Sequence, residues 1–282
     1  MCVTMPRMDL WQAPIEDVRP MLVEERKALL ELVHALGPEE WGAPTAAPRW
    51  NVRDIALHLL DDDLGWLSRG RDRDHRSILD MTDYPTFVAG LAAKNQRWVD
   101  GAQGLSGRVI SDLLRWTGQQ MDDYYASIDL LDEGWVSWAS EGPVPQWFDI
   151  AQDLTERWVH QQQMREALDR VGNYAATYLP RVLRTFVWAL PEQYRAPARE
   201  GVSMTVDLSC GGTWALRSDG RGRWELESGG DEGSAAHVRF SDDAGWRWLT
   251  GSSFDEAQLE ATGDPDLVRA LTSVRGIIVE RE

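Results

Sequence analysis

Glu156 and His160 stand four residues apart in LTERWVHQQQMREAL, and a second imidazole, His58, sits far upstream in IALHLLDDDLGW. Four residues is about one helical turn, so the carboxylate and the imidazole of the later segment project from one helix face. Two imidazoles and one carboxylate form a donor set suited to zinc, with a fourth position left to water or substrate. Nickel, cobalt or iron also accept such donors. A plainer reading competes with this one. A helical wheel puts Asp149, Asp153, Glu156 and His160 on one stripe, roughly opposite Leu154 and Trp158, and polar residues opposite an apolar stripe are commonly just the wet face. Three acids share that stripe with no base among them, which destabilises a helix unless something positive is near. A bound divalent cation would supply that charge. His58 lies at the margin of its own apolar arc, where a single histidine is more often a satisfied core residue. On these residues alone both readings stay open.

The elements that must position these groups read as helices up to about residue 190. Apolar residues recur at three and four spacing from Ile15 to Leu36. WNVRDIALHLL starts a second helix with Asn51 as N-cap, Asp54 reaching back and Trp50 stapling the first turn. Further helices are expected from Tyr84 to about Ala102, from Ser106 to about Asp129, over 146–171, and over 175–190 with a stop at Pro191. Long amphipathic helices with short connections predict an antiparallel four-helix bundle with accessory helices, and bundles build metal sites from inward residues on facing helices. After Pro197 the pattern changes. VSMTVDLSC, TWALRS, RWELES and AHVRFS predict an antiparallel sheet, followed by helices in DDAGWRWLTG and in DPDLVRALTSV, where Asp264 caps and Pro265 opens the helix. The expected fold is therefore α plus a small α/β part, divided as 1–195 and 196–282 at the linker-like PEQYRAPAREG.

WNVRDIALHLLDDDLGWLSRGRD followed by DLTERWVHQQQMREAL resembles the mycothiol-dependent maleylpyruvate isomerase family. GDPDLVRALTSVRGIIV resembles the end of the C-terminal domain of that family. The resemblance implies a DinB-like helical bundle that carries a divalent metal, and a C-terminal domain with a sterol-carrier-protein-like fold. It also implies that the ligands are His58, Glu156 and His160, with zinc first among the metals and mycothiol or a similar thiol as cosubstrate. A small thiol with a pKa near 8.5 is only a few per cent thiolate at neutral pH, and coordination to zinc deprotonates it. Addition to a conjugated cis double bond, rotation and elimination would give an isomerase, whereas displacement of a leaving group would give an S-transferase. The alternatives are a metallohydrolase that activates water and a non-catalytic small-ligand-binding protein.

Supporting roles follow from position. Asp62, one turn after His58, is a candidate to accept the second N–H of that imidazole, with Asp61 and Asp63 as alternatives, and Asp153 has a similar claim on His160. Arg275, in the family-like SVRGII stretch, is a candidate clamp for an anionic substrate, against the reading of a surface or interdomain ion pair. Trp50, Trp66, Trp158 and Trp188 are pocket candidates whose default is core packing. His34, His75 and His237 have no partner at ligand spacing. Cys210 ends a strand beside hairpin glycines and is not expected to be a nucleophile.

Charge and composition narrow the partners. A net charge of −17 repels phosphate backbones, so the expected partners are a small thiol and a small electrophile, not nucleic acid. The uncharged apolar runs fall short of the roughly 20 residues that cross a bilayer. MCVTMPRMDLWQAP has no basic stretch followed by an apolar core, and two cysteines make no disulfide framework. The expectation is a cytoplasmic monomer or homodimer.

Overall fold

The computed structural model describes residues 8–76, 79, 83–173 and 176–276. Its helical region runs α1 (Arg19–His34), α2 (Val52–Trp66), α3 (Tyr84–Gly101) and α4 (Gly107–Ser127), then a short antiparallel pair, β1 (Glu133–Gly134) and β2 (Val144–Pro145), then α5 (Gln146–Ala167), α6 (Leu179–Phe186) and α7 (Ala189–Gln193). There follow β3 (Ser203–Asp207), β4 (Thr213–Ser218), β5 (Trp224–Ser228), β6 (Ala236–Phe240), α8 (Asp242–Thr250), β7 (Leu259–Gly263) and α9 (Pro265–Thr272). A helical N-terminal region followed by a sheet with helices is the expected class. Two compact units divide the chain. Of the described residues, one gathers those within 17–129 and 156–173, and the other 8–16, 130–155 and 176–276, so the division falls within α5.

In the first unit the start of α2 is fixed by a reciprocal cap. The Asp54 N–H donates to Asn51 Oδ1 and the Asn51 N–H donates to Asp54 Oδ2, each at 3.0 Å. Two orphan donors are thereby satisfied and the phase of His58, one turn onward, is set. Cross-helix bonds give the directions. Trp98 Nε1 on α3 donates to the Leu57 carbonyl, and Lys94 pairs with Asp61, so α3 runs antiparallel to α2. Arg19 donates to the Tyr125 carbonyl and Arg26 to that of Leu114, so α4 runs antiparallel to α1. Gln161 and Arg165 of α5 reach Glu25 and the Ala28 carbonyl of α1 in the same order, so these two run together. Gly118 lets Arg26 cross α4, since a Cβ there would lie 3.0 Å from Arg26 Cδ. Leu29, Ile55, Leu59, Ile110, Leu114 and Met164 form a fully buried apolar core. Each such large side chain contributes roughly 1.5–3 kcal/mol.

The sheet of the other unit has the order β5-β4-β3-β6-β7 and is mixed, which corrects the antiparallel expectation. β6 pairs with β3 in parallel, Met204 opposite Ala236, because the chain after β5 returns to the far edge of β3 instead of continuing the meander. Strand alternation reports burial, not which edge a strand will join. β7 was not expected from the sequence. LEATG has no alternating apolar pattern, is largely exposed, and is held as an edge by backbone pairing with β6. The expected helix over 175–190 is also divided. α6 ends at Phe186, and Pro191 lies inside α7, in a first turn where its missing N–H leaves no bond unmade. α8 is capped by Ser241 and closed by Gly251 at φ 72°. Among the described residues no helix is long and apolar enough to cross a membrane.

Candidate metal centre

α2 and the second half of α5 bring His58, Glu156 and His160 together. His58 Nε2 lies 3.1 Å from Glu156 Oε1, and His160 Nε2 lies 3.2 Å from the same oxygen. One donor atom from each residue falls within 4.8 Å of the others. Donors around a tetrahedral zinc with bonds of ~2.0–2.1 Å stand about 3.3 Å apart. The two nitrogen–oxygen separations match that spacing, so the side chains present form a donor set for a divalent cation. The two imidazole rings meet edge to face at 4.9 Å, and the Trp50 indole packs against both, at 4.7 Å from His58 and 6.0 Å from His160. Both histidines are buried and Glu156 is partly so.

The charges are tuned by this convergence. Burial pushes the Glu156 carboxyl up, but the hydrogen bonds of His160 and His58 outweigh it and hold the group well below the usual carboxylate range. Burial opposes the charged form of His58, and the carboxylates of Asp62, Glu156 and Asp61 overcome it, so that imidazole is raised above its ordinary value.

The three consecutive acids after His58 go three ways, since successive helix positions turn by about 100°. Asp61 pairs with Lys94 on α3. Asp63 is fully buried between Arg26 and Arg157. Asp62 Oδ2 lies 3.5 Å from His58 Nε2, the nitrogen that faces Glu156. It is thus beside the donor set and not at Nδ1, where a second imidazole N–H would be accepted. The Nδ1–H of His160 donates to Gln163 Oε1 at 2.8 Å, so the acceptor is Gln163 and not Asp153. Gln163 was missed by sequence reasoning, although its i, i+3 spacing from His160 on a helix was a usable signal. The wet-face reading of α5 is overturned. Asp153, Arg157, His160 and Gln161 are all buried alongside Leu154 and Trp158. Of the other acids on that stripe, Asp149 accepts the Trp135 N–H at 3.0 Å.

Among the tryptophans, Trp50 joins the triad. Trp66 packs on Tyr124 and Tyr125, and Trp158 donates to the Asn173 carbonyl. Trp188 packs on Phe148 in the sheet-bearing unit. Arg275 belongs to that unit as well, and its Nη1 donates to the carbonyls of Thr272 and Val274 at 2.8 and 2.7 Å. Cys210 is exposed as a residue, and partial burial of its sulfur with the Asp242 carboxylate beside it pushes the thiol up to about 12, the wrong direction for a nucleophile.

The mycothiol maleylpyruvate isomerase N-terminal domain family matches residues 22–165, a stretch that contains all three donors. The fold is similar to the crystal structure of the mycothiol-dependent maleylpyruvate isomerase and to that of a histidine-to-alanine mutant of it. Each is matched at 12% identity and a TM-score of 0.55, over 91% of this chain and 97% of the other. At that identity the likeness is one of fold. A further similarity, 28% identity over 127 residues, is to telomere repeat-binding protein 1 of Arabidopsis thaliana and covers 44% of this chain. It spans 18% of that protein, less than a fifth of its length.

Proposed function

This chain belongs to the mycothiol maleylpyruvate isomerase N-terminal domain family. From that premise we propose that it is a metal-dependent enzyme using a low-molecular-weight thiol, mycothiol or a close equivalent, for S-transfer to, or cis–trans isomerisation of, a small electrophile. The observation that carries the reading is the meeting of two imidazole nitrogens on one carboxylate oxygen, three donors at cation-binding separations in a fold of this family. A divalent cation held there, zinc by the chemistry of the donors, favours the thiolate form of a bound thiol and keeps a position open for it.

The remaining work belongs to the chain. His58, Glu156 and His160 supply one negative charge among three donors, so the assembled site keeps a net positive charge that attracts an anionic sulfur. The Trp50 indole covers both imidazoles and excludes water from that side. Asp62 adds a carboxylate next to the donor atoms and favours a cation in the site. Nucleic acid has no part in this reading, because a net charge of −17 opposes a phosphate backbone.

Calorimetric titration of mycothiol into metal-loaded and metal-stripped protein tests the reading. Binding that requires the metal is the expected result, and equal affinity for both forms overturns it. Turnover of an ester or amide without any thiol would instead identify a metallohydrolase.

A further inference from the structure

We infer that Gln163 is a positioning residue for the donor set. By accepting the Nδ1–H of His160, its amide oxygen favours the tautomer whose Nε2 lone pair is available to a bound cation. It does so with a neutral group that leaves a bound cation its charge. The inference rests on the reading that the triad holds a divalent cation.

A neutral imidazole carries one N–H and one lone pair, and the acceptor at one nitrogen decides which atom is free to bind a metal. His160 and Gln163 are both buried, 8% and 6% exposed, and their bond is 2.8 Å long. Solvent therefore offers Nδ1 little alternative. The two residues stand three apart on α5, so the helix itself brings the amide to the ring. His58 is held differently. Its Nδ1 is buried and has no hydrogen-bond partner among the described residues, and its ring packs closer to Trp50 than that of His160 does. One imidazole is set by a hydrogen bond and the other by packing.

The chemical type of the acceptor matters as much as its place. A carboxylate at Nδ1 would push electron density into the imidazole and raise its basicity as a ligand. An amide orients the ring without adding negative charge. It follows that a side chain removing the acceptor and one charging it should have different effects.

The test uses the full chain, cobalt(II) as the probe metal and azide as the probe anion. Its variants are Gln163→Leu and Gln163→Glu, with circular dichroism of the metal-free proteins as the control for folding. Gln163→Leu is expected to weaken cobalt binding by about 10–100-fold, the usual cost of losing an outer partner of a metal ligand. Gln163→Glu is expected to restore cobalt affinity to the wild-type level or beyond, and to weaken azide binding to the cobalt-loaded protein. In metal-free protein at alkaline pH, the ¹⁵N signals of His160 are expected to report a larger share of the Nδ1–H tautomer in the wild type than in Gln163→Leu, because Gln163 competes with Glu156 for the ring proton. Wild-type cobalt affinity in Gln163→Leu, or an unchanged tautomer, overturns the inference. Unaltered azide affinity in Gln163→Glu overturns the part that assigns significance to neutrality. If the wild type takes up no cobalt, the functional reading fails, and the tautomer signals still decide the role of Gln163.

Discussion

Asp63 and His58 lie five residues apart on α2, and each meets α5, Asp63 through Arg157 and His58 through Glu156. Around Asp63 the carboxylate oxygens take two bonds from Arg26, at 2.8 and 2.6 Å, one from the Thr117 hydroxyl, and the Arg157 guanidinium at 2.8 Å. Three hydrogen bonds and one ion pair neutralise this carboxylate. α1, α2, α4 and α5 each send a side chain to this point. Around His58 the donors converge on a single oxygen of Glu156, with Asp62 adding another carboxylate beside the same nitrogen. The first cluster closes its carboxylate with cations of the protein. The second gathers two imidazoles and a carboxylate, a donor set that a cation from outside can occupy. Neighbouring polar clusters in one bundle can therefore be told apart by who supplies the positive charge.

The largest expected effect breaks the closed cluster. Asp63→Ala leaves Arg26 and Arg157 buried without their shared carboxylate and should destabilise the metal-free protein by about 3–5 kcal/mol, read from urea unfolding. A loss below ~1 kcal/mol would mean that the cluster does not hold the bundle together.

Glu156→Gln should do the reverse. The fold, followed by circular dichroism, persists, while zinc affinity falls by more than the ~10–100-fold that follows loss of an outer partner. Unfolding of this variant would place Glu156 in the same structural class as Asp63.

The two clusters should also differ in pH response without metal. His58 is raised above 6.5, so its contribution to stability is present below that value and is lost as pH climbs through the folded pKa. Glu156 is depressed below 4.5, so its contribution is present above that value and is lost as pH falls through the folded pKa. The triad therefore stabilises the metal-free protein most between about 4.5 and 6.5, and His58→Ala should flatten the decline on the alkaline side. Asp63, although burial opposes its charge, is depressed by Arg26 and Arg157 below 3.8, so its contribution persists through neutral pH and disappears only in acid. Unfolding curves across pH check both. The smallest effect is that of Asp62→Asn, a tenfold or lesser decrease in zinc affinity, because this partly exposed carboxylate acts through a charge beside the donors.

Much of this was legible in the sequence. The Asn51–Asp54 cap, the helices that carry the donors, the strand TWALRS and the Glu156/His160 spacing are local patterns, and local patterns survive folding. His58 was joined to that pair because bundles face inward residues at one another and because of the family resemblance. What escaped depends on partners distant in sequence. Nothing in DDD says that Asp61, Asp62 and Asp63 will meet a lysine, a histidine and two arginines. Glu156 and Gln161 of α5 read as part of a solvated stripe until α2 brings His58 to the first and α1 brings Glu25 to the second. The parallel pairing of β3 with β6 is decided by a chain crossing that strand alternation does not encode.

The most direct measurement is zinc stoichiometry and affinity in the purified full chain compared with His58→Ala, by metal analysis after dialysis and by competition with a chelator. One tightly held zinc per chain, lost in the variant while the helical signal is retained, is the predicted result. Equal zinc retention in both proteins would contradict it, because the imidazole on α2 would then have no part in holding the ion.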